Sequence, residues 1–308
     1  MESILVVGSV ALDSVKTPQG ESSEALGGSA VYFSLAARLF AKVQLLGVVG
    51  TDFPDAHRRM LQEREVDLSG LQAVPGKTFR WAGRYGKDLN SAKTLDTQLN
   101  VFEKFKPVLS RAQKASPVVF LANIDPDLQW EVLAQMERPR LVACDTMNYW
   151  ISSKKPALKE LLSRVDVFFV NEEEARKLTG EANNCRAARK ISEWGPSVVV
   201  VKKGEHGALL WAGGKIHAFP AYPVETVKDP TGAGDSFAGG FLGYLTSVGG
   251  STDVRHVKRA MLYGCVAASF NVEDFSTRML EDLSIEAVKE RYREFLDLLS
   301  VEDGVLVS

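Results

Sequence analysis

The sequence predicts an α/β protein: a mostly parallel central sheet with helices packed on both faces. Three observations carry this reading. Six short apolar runs are each bounded by Gly, Pro or polar residues, the pattern of strands buried on both faces. Most are followed by a stretch of helical periodicity, and strand–helix alternation marks a parallel sheet covered by crossover helices. The chain has 308 residues, 45% hydrophobic and 25% charged, enough to bury a sizeable core without disulfides or metals.

In chain order, Ile4–Val7 is the first strand, and Ser29–Phe40 the first helix, with Ser29 as its expected cap. Val43–Val48 and the helix Pro54–Glu63 follow. The alternation resumes with strand Val118–Ala122, helix Leu128–Gln135, strand Leu141–Cys144 and helix Lys155–Ser163. Strand Val167–Val170 leads into helices Glu172–Leu178 and Arg186–Trp194, and strand Val198–Lys202 into a second strand at Ala208–Trp211. From Asp235 the chain reads as helical, with elements from Ser236 to about Leu245, Val254–Ser269 and Ile285–Leu299. Two segments break the pattern, residues 11–26 and 77–106. In the second, Phe79, Trp81 and Tyr85 share one face of a strand, and Thr78, Arg80 and Arg84 the other. Long insertions of strand character in an α/β protein are often lids over a site.

Bulk properties exclude several classes. A net charge of −2 gives no electrostatic case for a nucleic-acid or anionic-membrane partner. Cys144, Cys185 and Cys265 are odd in number and far apart, which fits neither a disulfide framework nor a zinc site. The histidines His57, His206, His217 and His256 lack metal-ligand spacing. The N-terminus carries no signal-peptide pattern, and no apolar stretch reaches the ~18 residues that would span a bilayer. A cytoplasmic protein is expected.

The most informative stretch is Asp229-Pro-Thr-Gly-Ala-Gly-Asp-Ser-Phe237. Gly232, Ala233 and Gly234 let an anion approach their backbone N–H groups, which lie where a helix begins and positive partial charge collects. Asp235 follows at once. An anion cradle beside a base is what phosphoryl transfer to a hydroxyl requires; the same residues also make an ordinary capped helix start.

Four other sites are weaker alone. Gly27-Gly28 before a helix permits close backbone approach to a ligand. Gly8-Ser-Val-Ala-Leu-Asp13 follows the first strand, on the carboxyl side of the sheet where α/β proteins bind ligands, but does not match a dinucleotide fingerprint. Asn171 and Glu174 are spaced as a capping box, a reading compatible with Glu174 holding Mg²⁺ waters and Asn171 touching phosphate. Lys203-Gly-Glu-His-Gly207 between two strands suits either a nucleotide loop or a plain hairpin turn. Gly76-Lys77-Thr78 imitates the end of a phosphate-binding P-loop, but the upstream Gly is misplaced, so Pro75-Gly76 reads as a turn before a strand.

Taken in order, these motifs resemble the ribokinase-like carbohydrate kinases, the PfkB family, over essentially the full length. Asp229–Asp235 resembles the family's C-terminal signature, Gly27-Gly28 its looser N-terminal one, and Asn171-x-x-Glu174 its Mg²⁺/phosphate motif. The resemblance implies a single kinase domain over 1–308, a three-layer α/β/α core with a small β lid from 11–26 and 77–106, and ATP with Mg²⁺ as phosphoryl donor. It implies Asp235 as base and Gly232, Ala233 and Gly234 as anion hole. Lys203, Gly204, Glu205, Gly207 and Asn271 fall with the nucleotide-binding residues, beside Asn171 and Glu174. Asp13, Gly27, Gly28, Ser29, Asn123, Asp125 and Arg80 fall with the acceptor. Asp229 and the Ser269–Ser276 loop correspond to a monovalent-cation (K⁺) site.

The expected activity is transfer of the γ-phosphoryl of ATP to a primary hydroxyl of a sugar. Ala11, in a position where many sugar-specific members carry Asn, together with Val31 and Tyr32 after the glycine pair, departs from a ribose- or fructose-type pocket. Phe79, Trp81 and Tyr85 could stack on a base or a sugar face. An adenosine-type nucleoside kinase therefore stays open, as does a sensor that binds a sugar or nucleotide without turnover. Exposed lid edges make a homodimer through the lid plausible.

Overall fold

A computed structural model describes residues 1–300 of the chain. Its strands are β1 (Ser3–Val7), β2 (Ala11–Thr17), β3 (Gly20–Gly27), β4 (Lys42–Gly50), β5 (Val66–Val74), β6 (Phe79–Tyr85) and β7 (Ala92–Gln98), then β8 (Val118–Leu121), β9 (Leu141–Cys144), β10 (Val167–Asn171), β11 (Val198–Lys202), β12 (Ala208–Ala212) and β13 (Lys215–Phe219). The helices are α1 (Ser29–Ala37), α2 (Asp55–Glu63), α3 (Arg111–Lys114), α4 (Pro126–Gln135), α5 (Asn148–Ser153) and α6 (Lys155–Leu162), then α7 (Glu172–Thr179), α8 (Asn184–Ser192), α9 (Ala233–Ser247), α10 (Val254–Asn271), α11 (Arg278–Glu281) and α12 (Ile285–Leu299).

Nine strands form the main sheet in the order β13-β12-β11-β10-β9-β8-β1-β4-β5. The seven strands from β11 to β5 are parallel; β12 and β13 turn back as an antiparallel edge. Successive residues of each strand enter opposite cores. Ile4, Val6, Phe120, Phe169 and Val200 pack beneath α1, α9 and α10. Leu5, Val7, Leu121, Phe168 and Val201 pack beneath α4, α6, α7 and α8. This is the three-layer α/β/α arrangement read from the sequence, and it explains why the parallel strands are continuously apolar. The chain runs outward from β1 to β4 and β5, then returns to build β8 to β11 on the other side. Strand order reverses between β1 and β8, and that crevice opens at the carboxyl ends of the strands.

The lid is a separate four-stranded sheet, β3-β2-β6-β7. Its strands fall inside the two segments that interrupt the alternation. Trp81 lies directly across from Asp13 in the β2/β6 register, and Leu12 across from Arg80, so the aromatic face is also the Asp13 face.

The structure departs from the sequence reading at particular places. β5 and β13 are strands that it did not anticipate; both are edge strands with interrupted apolar patterns, which period-two reasoning reads poorly. Ser29 is not the cap of α1. Gly28 holds the cap position at φ 98, and the Ser29 hydroxyl instead joins Ser9: Ser9 N donates to Ser29 Oγ at 3.2 Å, and Ser29 N to Ser9 Oγ at 3.0 Å. The P-loop imitation dissolves as expected, since Thr78 donates to Asp52 Oδ1 at 2.7 Å and Gly76 sits in a turn before β6. The last eight residues of the expected 1–308 domain lie outside the described residues. Among the described residues, no helix is long and apolar enough to cross a membrane.

Candidate active site

The site gathers at the carboxyl ends of β1, β8, β9, β10 and β11, under the lid and beside the start of α9. Small residues set the position of α9. A Cβ on Gly239 would come within 2.6 Å of the Phe33 carbonyl, and one on Gly243 within 3.2 Å of the Ala37 backbone. Without those side chains α9 lies flush against α1, which carries its N-terminus to the Gly27-Gly28 turn.

The loop before α9 is braced from below. Asp229 is buried, and its carboxylate accepts from Thr231 N at 2.9 Å and Ser276 N at 3.2 Å. Asn271, also buried, donates to the Thr231 carbonyl at 2.8 Å and accepts from the Ser236 hydroxyl at 3.2 Å. Asn271 therefore shapes the loop, although the family resemblance set it with the nucleotide. Gly232 takes a left-handed conformation, φ 77, and rests on the Tyr32 ring, which a Cβ there would strike. The Ala233 amide turns back to the Pro230 carbonyl at 3.2 Å, and the first helical bond runs from Ser236 N to Gly232 O at 2.8 Å. The amides of Gly232, Gly234 and Asp235 have no protein acceptor among the described residues, and no side chain caps the helix. Three orphaned donors at a helix start fit a phosphate.

Asp235 stands beside them in the first turn of α9, partly enclosed. Burial pushes its carboxyl up to about 7; Asp145 adds to the rise and the Lys202 ammonium opposes it. Asp145 follows β9 and Lys202 ends β11, with Lys202 Nζ 2.8 Å from Asp145 Oδ2. A Cβ on Gly234 would lie 2.9 Å from that Nζ, so the ammonium lies against the loop.

Asn171 and Glu174 form the capping box: Asn171 N donates to Glu174 Oε2 at 2.7 Å, and Glu174 N to Asn171 Oδ1 at 2.8 Å. The cap engages one carboxylate oxygen and leaves the other without a protein donor among the described residues. Burial, then the charge of Asp145, raises Glu174 to about 7. The capping role leaves that second oxygen over, and it fits a water-mediated Mg²⁺ contact. Among the described residues no group of three or more His, Cys, Asp or Glu is placed to hold a metal by itself.

On the acceptor side, Asp13 projects from β2 over Gly27, where any Cβ would meet its carboxylate. Burial pushes Asp13 up to about 7, against the Gly28 amide, which draws it down. Gly28 abuts the Ser9 carbonyl so closely that no side chain fits. Tyr85 reaches down from the lid and accepts from the Thr231 hydroxyl at 3.2 Å. Two buried polar atoms near the strand ends, Asn123 Oδ1 and Thr146 Oγ1, have no hydrogen-bond partner among the described residues. Unpartnered buried atoms of that kind are normally met by water or a ligand.

The remaining residues are placed differently. Lys203, Gly204, Glu205 and Gly207 form the β11–β12 connection, with Gly204 at φ 56 and Gly207 at φ 79. The lid tip touches this loop through Asn90 Nδ2, which donates to Glu205 Oε1 at 3.2 Å. Asp125 caps α4 and pairs with Lys154 Nζ at 2.7 Å, so it is not a free acceptor contact. Arg80 lies on the lid face opposite Asp13, held by Glu24 at 2.9 Å and Asp52 at 2.8 Å. Ser29 is buried against Ser9, as above. Sequence reasoning missed Asp145 and Lys202 as site residues. The only available signal was their position immediately after or at the end of a parallel strand.

The pfkB family carbohydrate kinase profile matches residues 1–282. The chain is 34% identical over 248 residues to the cytidine kinase of Thermococcus kodakarensis, covering 79% of this chain and 88% of that protein. Its fold is similar to the nucleoside kinase of Methanocaldococcus jannaschii, with a TM-score of 0.76 and 23% identity over 96% of this chain and 99% of that one. It is also similar to an Escherichia coli ribokinase-type structure determined with ATP and Mg²⁺, at a TM-score of 0.78 and 19% identity over 96% of this chain and all of that one (100%). Sugar kinases are among the matching proteins too. Nucleoside kinases match over most of their lengths, which supports the nucleoside alternative better than the sugar acceptor that the sequence reading put first. A ribokinase-type α/β/α core, a lid sheet and a glycine-lined helix start before Asp235 thus coincide with a family match over residues 1–282: this chain belongs to the pfkB carbohydrate kinase family, a phosphotransferase of the sugar- and nucleoside-kinase type.

Proposed function

We propose that the protein is an ATP- and Mg²⁺-dependent nucleoside kinase that phosphorylates a primary hydroxyl of its acceptor. The 34% identity to a cytidine kinase across most of both chains carries the acceptor class. The pocket agrees with it. The Asp13 face of the lid presents Trp81 and Tyr85, flat surfaces suited to a base or sugar ring. Buried Asp13 is suited to ribose hydroxyls, and the unpartnered Asn123 Oδ1 to a donor of the acceptor. Ala11 supplies no polar group where a free-sugar pocket would use one.

ATP, when bound, supplies the phosphoryl group, and Mg²⁺ neutralises its oxygens. The chain's own residues do the rest. The open amides of Gly232, Gly234 and Asp235 receive the anionic oxygens at a helix N-terminus, where little reorganisation is needed. Asp235 accepts the proton of the acceptor hydroxyl as that group becomes acidic late in transfer. The free oxygen of Glu174 would hold water for the metal when Mg²⁺ is bound. The lid strands cover the acceptor and exclude bulk water, which would otherwise compete as acceptor.

The test is ADP release with Mg·ATP against a panel of nucleosides, sugars and sugar phosphates. Cytidine and related nucleosides should give the highest kcat/KM. A clear preference for a free sugar would end the nucleoside assignment, and absence of turnover with every acceptor would favour the sensor. The same reading includes a pair of copies joined at the lid, since β7 is exposed along its length with one edge unpaired. Light scattering that reports only monomer, with and without ligands, would remove that part.

A further inference from the structure

We propose that the Lys202 ammonium contacts the transferred phosphoryl group directly, held at the anion loop by the Asp145 carboxylate. Lys202 closes β11, and Asp145 follows β9; these strands flank β10 on either side, so the pair straddles the strand that carries Asn171. Asp145 is itself fixed, because its Oδ1 accepts from Thr146 N at 2.7 Å while Oδ2 receives Lys202 Nζ at 2.8 Å.

An ammonium has three donors. Lys202 gives one to Asp145, and the others have no acceptor among the described residues. The side chain keeps 19% of its surface, too little for full hydration and enough to meet a ligand. Its nitrogen lies against Gly234, whose own amide and that of Asp235 are equally without partners. A cation with spare donors next to orphaned amides converges on one anionic oxygen cluster. Such charge-assisted contacts are the strong ones, and in a water-poor site they act where negative charge develops. The bland alternative is that Lys202 only neutralises Asp145.

The inference rests on the kinase reading but not on the acceptor, so it can be tested by nucleotide binding alone. Mg·ATP and Mg·ADP affinities are measured by calorimetry for wild type, Lys202→Met, Lys202→Arg and the charge-neutral double variant Lys202→Met/Asp145→Asn, with thermal midpoints as the folding control. Lys202→Met should weaken Mg·ATP by about tenfold or more and Mg·ADP far less, while kcat falls by roughly 10²–10³. Lys202→Arg should keep the ATP-over-ADP preference. The double variant should regain stability without regaining that preference, and it keeps the test decisive if Lys202→Met fails to fold. A wild-type ATP-to-ADP ratio in the neutral variants, or a wild type that never distinguishes the two nucleotides, would falsify the contact. A wild type that distinguishes them yet phosphorylates no nucleoside leaves the Lys202 assignment standing and ends only the acceptor assignment.

Discussion

Asp235 occupies a place where a carboxylate is costly, and that cost suits it to the proposed role of a base near neutrality. Asp13, Glu174 and Asp235 are each pushed up to about 7, in every case chiefly by burial. Asp235→Asn should lower kcat by roughly 10²–10⁴ while leaving nucleotide binding nearly intact, checked by steady-state kinetics beside calorimetry. In the free enzyme, kcat/KM should climb with pH and level off above about 7, because only the ionised Asp235 accepts a proton. Stability should move the other way. Between ordinary carboxylate values near pH ~4 and about 7, the folded protein holds protons that the unfolded chain has released, so stability falls as pH rises through that window. Asp235→Asn removes one such group. Its melting temperature relative to wild type should therefore be higher at pH 8 than at pH 4; an equal difference at both would contradict the assigned shift.

At the scale of the element, two helix starts do different work. The start of α7 is closed: Asn171 and Glu174 satisfy each other's amides, and Asn171→Ala should cost about 1 kcal/mol in chemical denaturation. The start of α9 is open: the amides of Gly232, Gly234 and Asp235 have no protein acceptor among the described residues, and the loop is braced by Asp229 and Asn271. Gly234→Ala places a methyl 2.9 Å from Lys202 Nζ, the far end of a flexible side chain. That variant should fold with a melting temperature close to wild type and yet lose about tenfold or more in Mg·ATP affinity, read by calorimetry. Loss of the fold instead would mean that the loop is a packing element. The difference between the starts was half legible. The Asn-x-x-Glu spacing announces a capping box, whereas Gly-Ala-Gly-Asp announces only an absence of side chains. Which amides stay open depends on the turn at Pro230, and that turn depends on Asn271, 40 residues away.

At the scale of the molecule, the lid touches both the loop before α9 and the β11–β12 loop. Tyr85 meets Thr231 at the anion loop, and Asn90 meets Glu205 at the β11–β12 loop. A lid that contacts both sides should couple them, and the coupling must be reciprocal. Acceptor should tighten Mg·ADP, and Mg·ADP should tighten acceptor by the same factor; Asn90→Ala should shrink that factor without changing the affinity for either ligand alone. Calorimetric titrations in both orders check it, and an unchanged factor would detach the lid tip from closure. Tyr85→Phe should raise the acceptor KM several-fold and increase the share of ADP formed without phosphorylated product, since a looser lid admits water.

The parallel sheet, the helices around it, the interrupting lid segments and the glycine-lined start of α9 were all determined by local sequence. Periodicity, glycine placement and the apolar strands are properties of neighbours in the chain, so they survive without coordinates. The partners of the site were decided only by tertiary structure. Lys202 and Asp145 are 57 residues apart and each looks like the polar end of an ordinary strand. Arg80, Asp125 and Ser29 look like free polar groups until Glu24 and Asp52, Lys154, and Ser9 are brought to them. A charge's role depends on which other charges the folded backbone sets within a few ångströms, and spacing along the chain does not carry that distance.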